Sequence, residues 1–175
     1  TVGTGSGANV YVESVLGGTK ALTKFVSQGV GTTSFGTLNL RNGTINATTQ
    51  EYNNTVSLEA NATLTGSTVT MTGYVKGDGA ANQRQLNINA SGVTTLKNIG
   101  NANAADILGL VQTDSKGSTV LTGVITGTTL RFEDNALVDG TAVILNATTI
   151  AFDKTVEGKD KATVQTLGNA TFDYL

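Results

Sequence analysis

Apolar and polar residues alternate in short runs along most of this chain, and Asn or Gly interrupts each run after a few residues. Leu38 and Leu40 alternate, Asn42-Gly43 forms a turn, and Ile45 resumes the pattern. Val56 and Leu58 alternate again, followed by Leu64, Val69, Met71 and Val75, and then by Leu86, Ile88, Ala90, Val93 and Leu96. A period of two places the apolar residues on one face of a β-strand, and Asn and Gly supply the turns between strands. The polar stretch Asp78–Gln85 has no apolar partner and is expected to protrude as a loop. Residues 16–37 are less regular: the spacing of Leu22, Phe25 and Val26 fits one helical turn as well as a strand. The opening TVGTGSGANVYVESV has a Gly-rich lead and then Val10 and Val12. Its GTGSG run lacks the preceding strand and following helix of a phosphate-binding loop, and reads as a flexible or turn-forming start.

The pattern returns after about 80 residues. On that shift Leu40 falls on Val120, Gly43 on Gly123, Ile45 on Ile125, Tyr52 on Phe132, Leu58 on Val138 and Leu64 on Ile144. With one residue inserted, Val69 meets Ile150, Met71 meets Phe152 and Val75 meets Val156. With the polar loop shortened, Ile88 meets Val164 and Leu96 meets Phe172. Ile99-Gly100 restarts what Leu16-Gly17 began. The chain 1–175 is therefore expected to be one domain, with repeat units at about 16–98 and about 99–175.

A smaller unit of about 20 residues recurs inside each large one, enough for three short strands and three bends. The expected fold is all-β: a right-handed parallel β-helix, or β-solenoid, of roughly 20-residue coils with an internal repeat of about 80 residues. A β-sandwich is the main structural competitor, and the long-period duplication weighs against it. On the solenoid reading Ile45, Leu64, Ile88, Ile125, Ile144 and Val164 point inward, and Asn46, Asn61 and Asn89 sit at or beside bends.

Composition agrees with an all-β chain. Gly is abundant, at 22 of 175 residues, Thr is frequent, and Pro, Cys, His and Trp are absent. Charged residues make up 14% and nearly balance, for a net charge of −2, so no basic patch is available to neutralise phosphates and nucleic acid is not an expected partner. No apolar run is long enough to span a bilayer, and membrane insertion is not expected. Without an initiator Met or a signal-like segment, Thr1 is expected to begin a processed chain or an excised piece of a longer one.

Three segments carry a family resemblance: TTQEYNNTVSL at Thr48–Leu58, TLTGSTVTMTG at Thr63–Gly73 and LNINASGVTT at Leu86–Thr95. Weaker copies lie at Thr128–Val138, Val143–Lys154 and Ala162–Thr171. The chain from about 16 to 173 resembles the repeats of bacterial filamentous-haemagglutinin-like exoproteins and autotransporter passenger domains. The resemblance implies a right-handed β-helix displayed outside a bacterial cell, in adhesins and related surface fibres. The family's secretion domain carries an Asn-Pro motif, whereas this chain has no Pro. That departure leaves the secretion route open and admits a stand-alone subunit.

The chemistry legible in the sequence is sparse. His, the commonest general base, is absent, and no Ser or Thr sits in a nucleophile elbow. The possible acids include Asp106, Asp114, Asp134, Asp139, Asp153 and Asp160. Arg131, Glu133 and Asp134 are neighbours, and Asp153-Lys154 follows about 20 residues on. Such a grouping suits a polysaccharide lyase, but Glu133 and Asp134 align with Asn53 and Asn54, which favours a solvated bend. Neither calcium-binding nonapeptides nor EF-hand spacing occurs. Asn-X-Ser/Thr triplets begin at Asn42, Asn46, Asn53, Asn61, Asn89, Asn146 and Asn169, and read first as strand and bend composition. No catalytic, cofactor-binding or metal-ligating residue is assigned.

The expected function is a non-enzymatic extracellular structural or adhesive module, a part or subunit of a bacterial surface fibre or adhesin. A carbohydrate-active enzyme, lyase or hydrolase, on the same scaffold is the alternative. Neither residues 1–9 nor the closing Phe172-Asp173-Tyr174-Leu175 resembles a cap. The expected partners are therefore further copies stacked end to end, or a continuation of the chain. Host-cell or surface carbohydrate is a further candidate partner.

Overall fold

The computed structural model describes residues 2–4, 9–29, 37–79, 84–100, 104–159, 164–166 and 169–172. Its first nine strands are β1 (Val2–Thr4), β2 (Val10–Val12), β3 (Leu22–Gly29), β4 (Thr37–Leu40), β5 (Gly43–Tyr52), β6 (Thr55–Leu58), β7 (Ala62–Gly66), β8 (Thr68–Gly77) and β9 (Gln85–Ala90). A 3-10 turn, Ala104–Asp106, follows β10 (Val93–Ile99). The remaining strands are β11 (Leu108–Thr113), β12 (Ser118–Phe132), β13 (Asn135–Val138), β14 (Val143–Asn146), β15 (Thr149–Phe152), β16 (Val156–Gly158), β17 (Val164–Thr166) and β18 (Asn169–Phe172). The segment Leu22, Phe25, Val26, open between helix and strand in the sequence, is strand β3.

All strand ladders among the described residues are parallel, and they close on themselves. Strand β5 pairs with β7, β7 with β9, β9 with β11 and β11 with β12. From there β12 pairs with β10, β10 with β8, and β8 returns to β5. Seven parallel strands thus form a closed β-barrel, with the other strands attached outside that ring. This closure corrects the expected right-handed β-helix of about 20-residue coils.

The reason lies in strand length. The expectation divided each unit into short strands separated by bends, but β5 runs for 10 residues and β12 for 15 without interruption. Within β12, Ser118–Leu121 pairs with β10 and β13, Val124–Thr126 with β14, and Thr129–Phe132 with β11 and β15. One continuous strand therefore hands its neighbours from one side of the molecule to the other, and the sheet joins up. Asn46 shows the consequence locally. Expected at a bend, it lies inside β5, and its Nδ2 donates to the Gly17 carbonyl at 3.2 Å. Asn61 does precede a strand, β7, and Asn89 lies next to the end of β9.

Register stacks like on like. Ile45, Leu64 and Ile88 stand opposite one another on β5, β7 and β9, all fully buried. Leu38, Val56, Val75, Ile99, Ile125 and Leu145 form a second apolar column, and Tyr52, Met71, Leu96, Leu121 and Val138 a third. Parallel neighbours lie ~4.8 Å apart, so within each column methyl and methylene groups of successive strands pack in contact. A fully buried Leu or Ile contributes about 1.5–3 kcal/mol.

Burial also tests the 80-residue shift position by position. Ile45 and Ile125 are both buried, as are Tyr52 and Phe132. Leu40 and Val120 differ: Leu40 is buried, Val120 is half-exposed, and Leu121 takes the inward position. Ile144, expected inward, is half-exposed, because Val143 and Leu145 on either side of it are the buried residues of β14. The backbone of Val164 lies in β17, and its side chain is outside the described residues. So are residues 80–83 of the expected loop, 160–163, most of the Gly-rich lead and 173–175. The expectation of uncapped ends falls largely on those positions.

Candidate functional site

Three places on this scaffold gather polar or aromatic side chains. The first is the acid–base grouping anticipated around Arg131. Its guanidinium projects from β12 and meets Asp153 at 2.8 Å and Glu133 at 3.3 Å, and Gln112 on β11 donates to Glu133 at 2.7 Å. Sequence neighbours and a residue beyond β15 are therefore brought together on one exposed face. Lys154 points elsewhere, to the carbonyl of Ser115. The single guanidinium is shared between two carboxylates, as Arg41 is between Glu13 and Glu59, while Lys24 pairs with Glu51, Arg84 with Asp78, and Lys159 with Asp139. Exposed pairs of this kind contribute up to about 1 kcal/mol each.

Asp134 departs from the solvated bend expected for it. Only 1% of its surface is exposed. Thr119 donates to both carboxylate oxygens at 2.8 and 2.9 Å, and Thr113 donates to one at 2.9 Å. Burial pushes this carboxyl above its ordinary value. The two threonine hydroxyls and its own backbone N–H pull against that shift, and the charge of Asp114 adds to it. Asp114 Oδ1 is itself buried without a hydrogen-bond donor. The signal for this environment was in the sequence: the shift of about 80 residues placed Asp134 on Asn54, which is also buried and accepts from Ser27 Oγ.

A comparable buried network involves Tyr52 and Gln50. Tyr52 Oη donates to Gln50 Oε1 at 2.7 Å, while Gln50 Nε2 donates to the carbonyls of Thr65 at 2.9 Å and Ile45 at 3.2 Å. Burial holds the Tyr52 phenol well above its usual range, so it stays neutral. Every partner lies inside the sheet, and the network ties β5 to β7.

The third place is a shallow depression of about 300 Å³ on the outer surface, lined by Tyr74, Asn98, Ile99 and Val124. Its origin is a register irregularity. Strand β10 advances by two residues from Leu96 to Asn98, while β8 advances by three from Met71 to Tyr74 and β12 by three from Leu121 to Val124. The extra residues are accommodated beside Gly73 and Gly123. A Cβ at Gly73 would meet the Asn54 carbonyl oxygen at 2.0 Å, and one at Gly123 would meet the Lys97 oxygen at 2.4 Å. Alternation alone gave no sign of this bulge, which needs the pairing register to be seen.

Of the other acids considered, Asp106 ends the 3-10 turn and lies 3.9 Å from Lys76, Asp139 pairs with Lys159, and Asp160 lies outside the described residues. Among the described residues no three acidic side chains gather to hold a metal ion, and no helix is long and apolar enough to cross a membrane. No protein-family model, curated protein or solved structure matches the chain.

Proposed function

We propose that this chain is a non-enzymatic, extracellular structural or adhesive module, a part or subunit of a bacterial surface fibre or adhesin. The observation that carries the reading is the repetition of one parallel ladder with an apolar interior along the described chain. Such a scaffold is stiff and presents a broad wall of Thr, Asn and Ser side chains to its surroundings. The sequence resemblance to surface exoproteins supplies the setting, outside the cell.

The ladders that are outermost among the described residues favour association. β1 and β2 pair with β3 and β4, and β16, β17 and β18 pair with β13, β14 and β15. Strands at the limits of a parallel ladder can take another strand in the same direction, from a second copy or from a longer chain. Sedimentation and electron microscopy of the purified chain test this. Concentration-dependent linear assemblies are expected, and a monomer at high concentration, with no binding to cell surfaces, would overturn the reading.

A second reading, a carbohydrate-active enzyme, draws on one observation, the meeting of Arg131, Glu133 and Asp153 on an exposed face. Turnover of an acidic polysaccharide that is lost in Arg131→Ala would establish it. Both carboxylates are already engaged by the Arg131 guanidinium, and that is the reason it ranks second.

A further inference from the structure

We infer that the depression at Tyr74, Asn98 and Val124 is a subsite for a neutral saccharide running across strands β8, β10 and β12. The inference rests on the adhesive reading and gives it a ligand class. In register, Tyr74 stands opposite Asn98, and Asn98 opposite Val124, so three adjacent strands present an aromatic ring, an amide and an aliphatic group in a row. Val124 is 37% exposed, and the half-exposed Ile144 continues the row on β14. Strands spaced ~4.8 Å apart set the interval between the three side chains.

The chemistry of the row selects the occupant. A tyrosine face and a valine receive the apolar C–H face of a sugar, and an amide both donates to and accepts from hydroxyls. Among the described residues no charged side chain lines the depression, so nothing there supplies a counter-charge to an anionic ligand that gives up its water. A peptide added as an extra strand needs an open sheet edge, and β8, β10 and β12 are each paired on both sides. A second protein needs about 800 Å² per partner for a stable contact, far more than this row of side chains offers.

The test is a titration of the full chain with maltohexaose, cellohexaose and chitohexaose, with hexagalacturonate as the charged comparison, followed by amide shifts in NMR. At least one neutral hexasaccharide is expected to move the amides around Tyr74, Asn98 and Val124, and hexagalacturonate to leave them in place. Tyr74→Ala should weaken binding by about tenfold or more, and Tyr74→Phe, which keeps the ring, by less than about threefold. Circular dichroism checks that both variants fold. Absence of shifts with all three neutral sugars, shifts centred elsewhere, or undiminished binding by Tyr74→Ala would overturn the inference. Sedimentation separates the two ideas: a wild-type chain that assembles without binding sugar refutes the subsite alone, and one that binds sugar as a monomer refutes the fibre alone.

Discussion

Asn54 and Asp134 occupy matching buried positions, each two residues beyond a fully buried aromatic, Tyr52 and Phe132, and each accepting hydrogen bonds from hydroxyls. One position carries a neutral amide and the other an ionisable group in the same kind of surroundings. The difference has a thermodynamic consequence.

Because burial raises the folded-state pKa of Asp134, the native chain holds this proton more tightly than the unfolded chain does. Its contribution is therefore most favourable below the ordinary carboxylate range and declines as pH rises through the raised value. Asp134→Asn removes that dependence. The variant should melt at a higher temperature than wild type at pH 7, with the gap narrowing in acid. Melting curves from pH 3 to pH 8 check this, and a gap that widens in acid would show that the carboxylate is stabilised when charged.

The apolar columns give a second prediction. Leu64 stands between Ile45 and Ile88, so Leu64→Ala should cost about 2–5 kcal/mol and Leu64→Asp more, since it buries an unpaired charge. On β14, Leu145→Ala should cost about 2–4 kcal/mol and Ile144→Thr less than about 1 kcal/mol. Urea denaturation of the four variants measures these values, and equal losses at positions 144 and 145 would place the strand in a different register.

Ile144 shows where the sequence was legible and where it was not. At Leu86 and Ile88 a polar residue, Asn87, separates the apolar pair, and burial follows the alternation. At Val143-Ile144-Leu145 three apolar residues run together, and alternation leaves the face ambiguous by one residue. Apolar matching along the sequence places the one-residue insertion after Leu64. Burial of Ala62 with Val143 and of Leu64 with Leu145 sets it before Ala62 instead. The closure of the sheet was hidden for a related reason. Asn46 looks like a bend residue, yet its side-chain contact with Gly17 lets β5 continue. The burial of Asp134 was hinted at by its alignment with Asn54, but a charge beside Glu133 reads as solvated until its threonine partners are placed.

Gly17 and Gly100 supply a third prediction. Both have positive φ, 71° and 60°. A Cβ at Gly17 would lie 2.2 Å from the Asn46 carbonyl oxygen, and one at Gly100 would lie 2.1 Å from that of Thr126. Left-handed backbone and a backbone obstacle act together, so Gly100→Ala should cost about 2 kcal/mol or more. Calorimetry would measure it, and a stability within about 0.5 kcal/mol of wild type would mean that the turn adopts another conformation.

The central structural claim is that parallel strands close into one ring, and backbone NOEs in a labelled sample test it most directly. Closure requires β5 to contact both β7 and β8, and β12 to contact both β10 and β11. Cross-strand contacts are expected between Ile45 and Leu64, Tyr52 and Met71, Leu96 and Leu121, and Thr113 and Phe132, all in the parallel pattern. Close Hα–Hα pairs of the antiparallel kind at these positions, or the absence of either set of contacts to β5 or β12, would contradict it.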